Sequence, residues 1–370
     1  MKRKKCLKDI DFHMLKIIIS HYYECTYVQY KQFLQIIKKK NKVKSLYQVE
    51  IIILFDKINA RNIVYSLIKI RKATTMKYLL RSMLFVPSYN EKFLNKAITC
   101  EADAIIFDME DAVPKAKRPE ARATLKKYLD KGVFRGKQLF IRVNQLGTDD
   151  LPEDLKLITD NQITGIVVPK ITDVGNIKAF EALLDFVENR EGLERGSLKL
   201  LPLIENAQAV INVDSIAAGS NRNIAILFGG EDYLDSVSGI NDCPRRAFEM
   251  PRTMIVMAAR THGLLPIDTP YLDLKNEEGF LEEEYASVAM GFAGCLIVNP
   301  VQLPWCNKVF TPSEEEIAHA KEMIAEVNKI QAAGGSVAVL NGKMIGPPML
   351  KRANKVMALV ELIEEFKREK

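Results

Sequence analysis

The sequence predicts an α/β protein folded as a (β/α)8 TIM barrel, because short apolar runs alternate with helix-length amphipathic stretches from residue 78 onward. That alternation is typical of parallel βαβ units, and near-continuous apolar runs suit strands buried on both faces. The runs are MLFVP (83–87), AIIFD (104–108), LFIRVN (139–144), GIVVPK (165–170), LLPLIE (200–205), AILFGG (225–230), LLPIDT (264–269) and CLIVNP (295–300). Their number, eight, matches the strand count of this barrel.

Polar or special residues stand at the carboxyl ends of nearly all these runs, or in the loops just beyond. They are Pro87, Asp108, Arg142, Lys170, Glu205, Asp232, Asp268 and Asn299. In a (β/α)8 barrel those ends form the catalytic face. A doubly wound sheet is the competing architecture, but it would not need eight similar units, and no GxGxxG follows the first run.

A helical extension follows the barrel, which we assign to residues 76–310. Ser313 and Glu316 have the spacing of a capping box and predict a helix that ends at Gly334-Gly335. SVAVLNGKMIGPP predicts a loop or short hairpin, and a last amphipathic helix runs from about Met349 to Lys370. Residues 311–370 exceed what a barrel needs, so we expect them to act as a lid that covers something, such as a neighbouring subunit.

Residues 1–75 form a basic leader with 17 Lys and Arg against 5 Asp and Glu, whereas the rest of the chain has 36 against 42. The leader contains neither Gly nor Pro, although turns and helix ends draw on both. It is either a helical arm that binds a partner or translated sequence upstream of a true start at Met76. Its Lys/Ile/Tyr/Asn-rich composition favours the second interpretation.

Several classes of function are disfavoured by composition. The six cysteines show no CxxC pair and the four histidines do not cluster, which argues against a disulfide framework or a zinc site. The apolar runs of the leader are too short for a signal peptide or a membrane span. The run KKKNK (38–42) is better explained as a solvated face than as a nucleic-acid patch. We therefore expect a cytoplasmic protein that binds neither membrane nor nucleic acid.

Two acidic positions suggest a metal site. Glu205 ends the fifth run and Asp232 follows the sixth, so their carboxylates can converge on one hard cation such as Mg²⁺. Each acid could instead cap a helix or pair with a basic neighbour. Arg142, inside an apolar run, needs either a structural carboxylate or a substrate anion as its partner.

A third acidic group follows the second run, where Asp108, Glu110 and Asp111 stand together. Clustered carboxylates repel one another unless a cation or several donors lie among them. Lys117 and Arg122 on the following helix could supply those donors. We expect the three acids to orient the metal ligands from a second layer, or to give structural support.

The chain resembles the β-subunit family of citrate lyase, within the HpcH/HpaI aldolase/citrate lyase group that also holds malyl-CoA and citramalyl-CoA lyases. The stretches that carry the resemblance are RSMLFVP, ADAIIFDMEDAV, IRVN, VVPK, IEN, GGEDY, KNEEGF, IVNPVQ, VFTPSEEE and LNGKMI, across about residues 81 to 350. The resemblance implies Mg²⁺ held by Glu205 and Asp232. Arg142 and Glu205 would contact the substrate as catalytic residues.

It also implies cleavage of a 3-hydroxy acyl thioester, namely citryl-ACP or citryl-CoA, to oxaloacetate and an acetyl thioester. The expected partners are the acyl carrier protein and transferase subunits of a citrate lyase complex, or a CoA thioester, in a homo-oligomeric enzyme. A free-standing malyl-CoA or citramalyl-CoA lyase is the first alternative.

One departure from the family pattern concerns the tail. The family usually reads GKMID, and its Asp is thought to enter a neighbouring subunit's site as an acid/base group. Here Gly346 stands in place of that Asp, and glycine has no side-chain proton to exchange. A second alternative is therefore a non-catalytic subunit that still binds metal and thioester.

Overall fold

The computed structural model describes residues 78–134, 136–241, 246–332, 338–340 and 342–369. The leader and the predicted helix end at Gly334-Gly335 lie outside the described residues. None of the described helices is long and apolar enough to cross a membrane.

Eight parallel strands close into a barrel in the order β1 to β8, which confirms the predicted fold class. The strands are β1 (Ser82–Pro87), β2 (Ala104–Asp108), β3 (Gln138–Arg142), β4 (Ile163–Val168), β5 (Lys199–Ile204), β6 (Ala225–Phe228), β7 (Leu265–Asp268) and β8 (Gly294–Ile297). Each predicted run contains one of them or overlaps it. Six runs continue past the observed strand end, because polar loop residues follow the last paired residue directly.

Helices surround the barrel and then continue into the extension. Those of the barrel are α1 (Glu91–Thr99), α2 (Arg118–Asp130), α3 (Asp150–Leu155), α4 (Val174–Glu191), α5 (Ala207–Ile211), α6 (Val213–Ala218), α7 (Gly230–Val237), α8 (Glu249–Thr261), α9 (Glu277–Met290) and α10 (Leu303–Val309). The extension contains α11 (Glu314–Ala332), β9 (Ala338–Leu340), β10 (Lys343–Ile345) and α12 (Pro347–Glu369).

Alternate strand residues fill the interior of the barrel. The cluster packed inside it includes Met83, Ile106, Phe140, Leu203 and Leu227, all at most 2% exposed. Strand residues of the opposite parity pack outward against the helices in a second, larger cluster. This period of two decides which residues at the strand ends point toward the barrel axis.

Closure of the barrel depends on Gly294 in β8. A Cβ atom built on Gly294 would lie 1.9 Å from the carbonyl oxygen of Leu80, which is far inside van der Waals contact. The chain before β1 and strand β8 can approach one another only because this residue has no side chain.

The C-terminal extension forms the elements that its sequence predicts. The capping box is present: the Glu316 carboxylate accepts from the Ser313 amide at 2.8 Å, and the Ser313 hydroxyl accepts from the Glu316 amide at 3.1 Å. Strands β9 and β10 form an antiparallel hairpin. Leu362 and Ile363 of α12 then pack against Leu79 before β1, which attaches the extension to the barrel.

Candidate functional site

The period of two brings Asp108, Arg142 and Glu205 to the inner face of the barrel at its carboxyl end. Asp108 follows the interior residue Ile106 by two positions, and Glu205 follows Leu203 in the same way. Arg142 lies directly across from Asp108 in the register of β2 and β3. These three predicted residues therefore meet at the mouth of the barrel, its carboxyl end, because of strand geometry.

Arg142 and Asp108 form a buried, two-pronged ion pair. The Arg142 Nε and Nη2 atoms donate to the two carboxylate oxygens of Asp108 at 2.8 and 2.5 Å, and the guanidinium lies 4.8 Å from the centre of the Phe85 ring. Burial acts to lower the pKa of Arg142, but the charge and hydrogen bond of Asp108 together with the charges of Glu110 and Asp111 outweigh it, so the pKa is raised. The third nitrogen, Nη1, lies 3.5 Å from Glu110 Oε2.

This geometry corrects the predicted donors of the acidic cluster. Arg122 does not contact the cluster; it pairs with Asp150 and Asp154, because its position on α2 faces α3. Lys117 lies with its Nζ 5.3 Å from the centre of the Tyr89 ring. The cations within the cluster are Arg142 and Lys170 instead, supplied by neighbouring strand ends rather than by the helix that follows β2.

Glu110 and Asp111 share that cluster but differ in environment. Glu110 is 5% exposed and its Oε2 has no hydrogen-bond partner among the described residues. Burial raises the pKa of Glu110 to about 7, although the Arg142 charge opposes the shift. Asp111 is more than half exposed, and its carboxylate lies 3.5 Å from Lys170 Nζ and 3.8 Å from Arg142 Nη1.

Glu205 is the more buried of the two predicted metal ligands, at 2% exposure. Its Oε1 accepts from the backbone amide of Lys170 at 2.5 Å, whereas Oε2 is buried without a hydrogen-bond partner in the described part of the chain. Burial raises the pKa of Glu205 to about 8 against the effect of the Lys170 charge. Gly229 permits this position, because a Cβ there would lie 2.7 Å from the Glu205 Cβ.

Asp232 lies in the first turn of α7, directly after β6. Its carboxylate is 44% exposed and lies 2.8 Å from Lys170 Nζ. Burial acts to raise the pKa of Asp232, but the hydrogen bond and charge of Lys170 outweigh it and the pKa is lowered. Asp232 therefore presents an ionised carboxylate at the mouth, beside the enclosed Glu205.

Lys170 lies close to three of the acids in the site. The sequence pattern did not assign it a role. Its Nζ lies 2.8 Å from Asp232, 3.7 Å from Glu205 and 3.5 Å from Asp111. Its backbone has φ 53°, the left-handed region, which costs a non-glycine residue of order 1–3 kcal/mol and is concentrated at functional sites. Its place at the end of the fourth run was the available signal.

The donor set fits a hard divalent cation. Two carboxylates of adjacent strand ends face one region, and one of them has a buried oxygen that is not used in hydrogen bonding. Mg²⁺ is commonly held by one or two carboxylates while water and substrate oxygens complete its shell. No group of three or more His, Cys, Asp or Glu ligands occurs among the described residues.

Gly346, the position of the missing acid, caps α12. Its carbonyl oxygen accepts from the amides of Met349 and Leu350 at 3.0 and 3.3 Å. A Cβ there would meet only Pro348, at an ordinary 3.6 Å. A Cβ atom is therefore tolerated at this position, so crowding at the Cβ does not explain the glycine.

The chain matches one protein family and is similar to several known proteins. Residues 81–300 match the model of the HpcH/HpaI aldolase/citrate lyase family. Citrate lyase subunit beta of Leuconostoc mesenteroides subsp. cremoris is 33% identical over 76% of this chain and 93% of its own. The (3S)-malyl-CoA thioesterase of Cereibacter sphaeroides (strain ATCC 17029) is 32% identical over 78% of this chain and 96% of its own.

One similar protein has been solved with a bound metal. Protein CitE from Mycobacterium tuberculosis, in complex with magnesium, acetoacetate and coenzyme A, is 25% identical and superimposes with a TM-score of 0.62. The match covers 75% of this chain and 97% of CitE.

Proposed function

Because the chain belongs to the HpcH/HpaI aldolase/citrate lyase family and is a carbon–carbon lyase, we propose that it cleaves a citryl thioester to oxaloacetate and an acetyl thioester. Glu205 and Asp232 would hold the Mg²⁺ on which this reaction depends. The single observation that supports these roles best is that Glu205 and Asp232 both lie near Lys170 Nζ at the carboxyl end of the barrel, where Asp111 joins Lys170 to Arg142.

The reaction breaks the bond between the α and β carbons of a 3-hydroxy acyl thioester. The β-hydroxyl loses its proton as it becomes a ketone, and the other fragment leaves as a thioester enolate that is then protonated. Mg²⁺, which Glu205 and Asp232 would hold, would supply Lewis-acid assistance that makes this proton loss easier.

Arg142 Nη1 is the guanidinium nitrogen that Asp108 leaves available to stabilise the enolate. Its Nε and Nη2 are engaged by Asp108, so the guanidinium plane is held in one orientation and Nη1 is directed away from that pair. A donor that is oriented before the reaction stabilises negative charge without reorganising. Asp108 thus acts through Arg142, while Glu110 and Asp111 lie around Nη1 and Lys170 as the second layer.

The carrier of the thioester distinguishes two forms of this proposal. As the β subunit of a citrate lyase complex, the chain would work with an acyl carrier protein and a transferase subunit. As a free-standing enzyme it would use malyl-CoA or citramalyl-CoA, and the similarity to a protein named for malyl-CoA favours this second candidate. Gly346 motivates a third, a subunit that binds metal and thioester without turnover.

A product assay separates these candidates. The purified full-length chain is given citryl-, malyl- and citramalyl-CoA, each with and without Mg²⁺. Oxaloacetate from citryl-CoA, formed only with Mg²⁺, is the expected result. Glyoxylate from malyl-CoA or pyruvate from citramalyl-CoA would support the second candidate. Binding of Mg²⁺ and thioester with no product would support the third.

The metal ligands are tested by Glu205→Gln and Asp232→Asn. Each change removes one carboxylate charge while keeping the side-chain size, so Mg²⁺-dependent cleavage should fall by about 10²-fold or more, the size of effect expected when electrostatic stabilisation is removed. Asp235→Asn, an exposed acid on the same helix α7, is the matched control and should keep full activity. Circular dichroism should show the same fold in all three; full activity in either site variant would contradict the assignment.

A further inference from the structure

We propose that the Lys170 ammonium and the divalent cation compete for the same carboxylate pair, so that Lys170 sets the affinity of this site for metal. The inference rests on the proposed function, in which Glu205 and Asp232 are the metal ligands. The geometry points to it because one tethered cation already lies between the two acids.

The Lys170 Nζ atom occupies the position, between the two carboxylates, that a bound metal ion would need. It lies 2.8 Å from the Asp232 carboxylate and 3.7 Å from that of Glu205. A divalent ion bound to both carboxylates would lie within a few ångströms of the ammonium, in a region enclosed enough to bury Glu205 to 2% exposure. Two cations that close repel one another even at a partly exposed site, so the ammonium moves away when the metal enters.

Lys170 has a second carboxylate to pair with after it leaves. Asp111 already lies 3.5 Å from Nζ and is 54% exposed at the mouth. Movement of the side chain toward Asp111 would carry the ammonium outward without leaving it unpaired. The Lys170 side chain is itself 30% exposed, so it can rotate toward solvent.

The backbone of Lys170 stays in place during this exchange. Its amide donates to Glu205 Oε1 at 2.5 Å, and its φ of 53° holds the chain in the turn that makes this bond possible. The backbone therefore orients one metal ligand while the side chain competes for both. Lys170 is a positioning residue in this sense, and its two contributions can be separated by substitution of the side chain alone.

The test measures binding of Mn²⁺, as a spectroscopic substitute for Mg²⁺, by the full chain without substrate. In Lys170→Met the Kd for Mn²⁺ should fall by roughly tenfold or more, the change that 1.4 kcal/mol produces. Lys115→Met removes the same charge from an exposed lysine in the loop after β2 and should leave the Kd within about twofold, since exposed charges are screened.

Two further measurements keep the proposal falsifiable. Addition of Mg²⁺ should raise the melting temperature of Lys170→Met by more than that of the unchanged chain, because its carboxylate pair has no cation until the metal binds. Lys170→Arg keeps the charge and should keep the Kd near that of the unchanged chain. An unchanged or higher Kd in Lys170→Met would overturn the competition.

The outcome also separates this inference from the proposed function. If Glu205→Gln and Asp232→Asn weaken Mn²⁺ binding but Lys170→Met does not strengthen it, only the competition fails. If neither acid variant weakens binding, the metal site itself is wrong, and the proposed lyase chemistry fails with it.

Discussion

At the scale of single residues, the site depends on which side chains share a strand face. Asp108 and Arg142 are paired in register, and this pairing explains why a guanidinium is stable inside an apolar strand. Glu205 depends on Gly229, where a Cβ would collide with it. The predicted roles of Arg142, Glu205 and Asp232 remain predictions, but their arrangement is the one those roles require.

Gly346 provides the sharpest residue-scale prediction. Gly346→Asp should raise the rate of thioester cleavage by about 10²-fold, the lower end of what a positioned acid/base group contributes. The resemblance places an acid/base group there, and a Cβ at this position makes only an ordinary contact with Pro348. Asp also suits the start of α12, since it is a favoured N-cap residue and its charge is stabilised by the helix dipole.

Gly346→Asn is the control for this change, because it has the size and capping ability of Asp without the ionisable carboxyl. Rates are measured with the thioester that the product assay identifies. Equal rates in the Asp and Asn variants would show that the gain, if any, comes from capping and not from proton transfer.

At the scale of elements, the end of the barrel opposite the site carries a buried ion network between α4 and the loop before β6. Glu188 is 1% exposed and pairs with Arg222 at 2.6 Å. It also accepts from the amides of Gly196 and Leu198, both at 2.8 Å. Burial acts to raise the pKa of Glu188, but these hydrogen bonds outweigh it, so the pKa is lowered.

A lowered pKa in the folded state makes stability depend on pH. The stabilisation from Glu188 is fully present above its unfolded pKa, about 4.3, and is lost as the pH falls through the folded value. Glu188→Gln should lower the free energy of unfolding at pH 7 by about 3 kcal/mol, as breaking a buried pair does. The loss should shrink toward pH 3.

Urea unfolding at several pH values measures this effect. Glu194→Gln, at an exposed position in the neighbouring turn, should change the free energy of unfolding very little at any pH. A loss in Glu188→Gln that is the same size at pH 3 and at pH 7 would contradict the assigned pKa direction.

For the molecule as a whole, pairing of the last strand with the first requires a residue without a side chain at Gly294. Gly294→Ala would place a Cβ 1.9 Å from the Leu80 carbonyl oxygen, so β8 could not pair with β1 without moving. We expect a loss of about 4 kcal/mol or more in the free energy of unfolding, a size that marks a specific structural failure. Gly346→Ala, where a Cβ fits, is the control in the same thermal melt; a native melting temperature for Gly294→Ala would contradict the closure argument.

The next prediction concerns which part of the chain is needed for folding and activity. A chain that starts at Met76 should fold and cleave thioester as the full chain does, because the family match begins at residue 81 and the described barrel begins at β1. Solubility, circular dichroism and activity of the two proteins are compared. Loss of solubility on trimming would show that the leader is a structural element.

The sequence by itself determined the eight strands, the capping box and the acids at the strand ends, because apolar period and local capping are properties of neighbouring residues. It also identified Arg142 as a buried charge that needs a partner. It could not choose Asp108 as that partner, nor could it assign a role to Lys170, since both depend on contacts between strands distant in sequence.

The Asp108–Arg142 pair and the contacts of Lys170 became visible in the folded barrel. Strand β5 lies between β4 and β6 in the barrel, and the long Lys170 side chain at the end of β4 reaches both Glu205 after β5 and Asp232 after β6. Arg122, adjacent to the acidic cluster in sequence, turns away to α3 because a helix distributes neighbouring residues around its axis. Long-range pairing, which one chain's local pattern does not encode, therefore determined the electrostatics of the site.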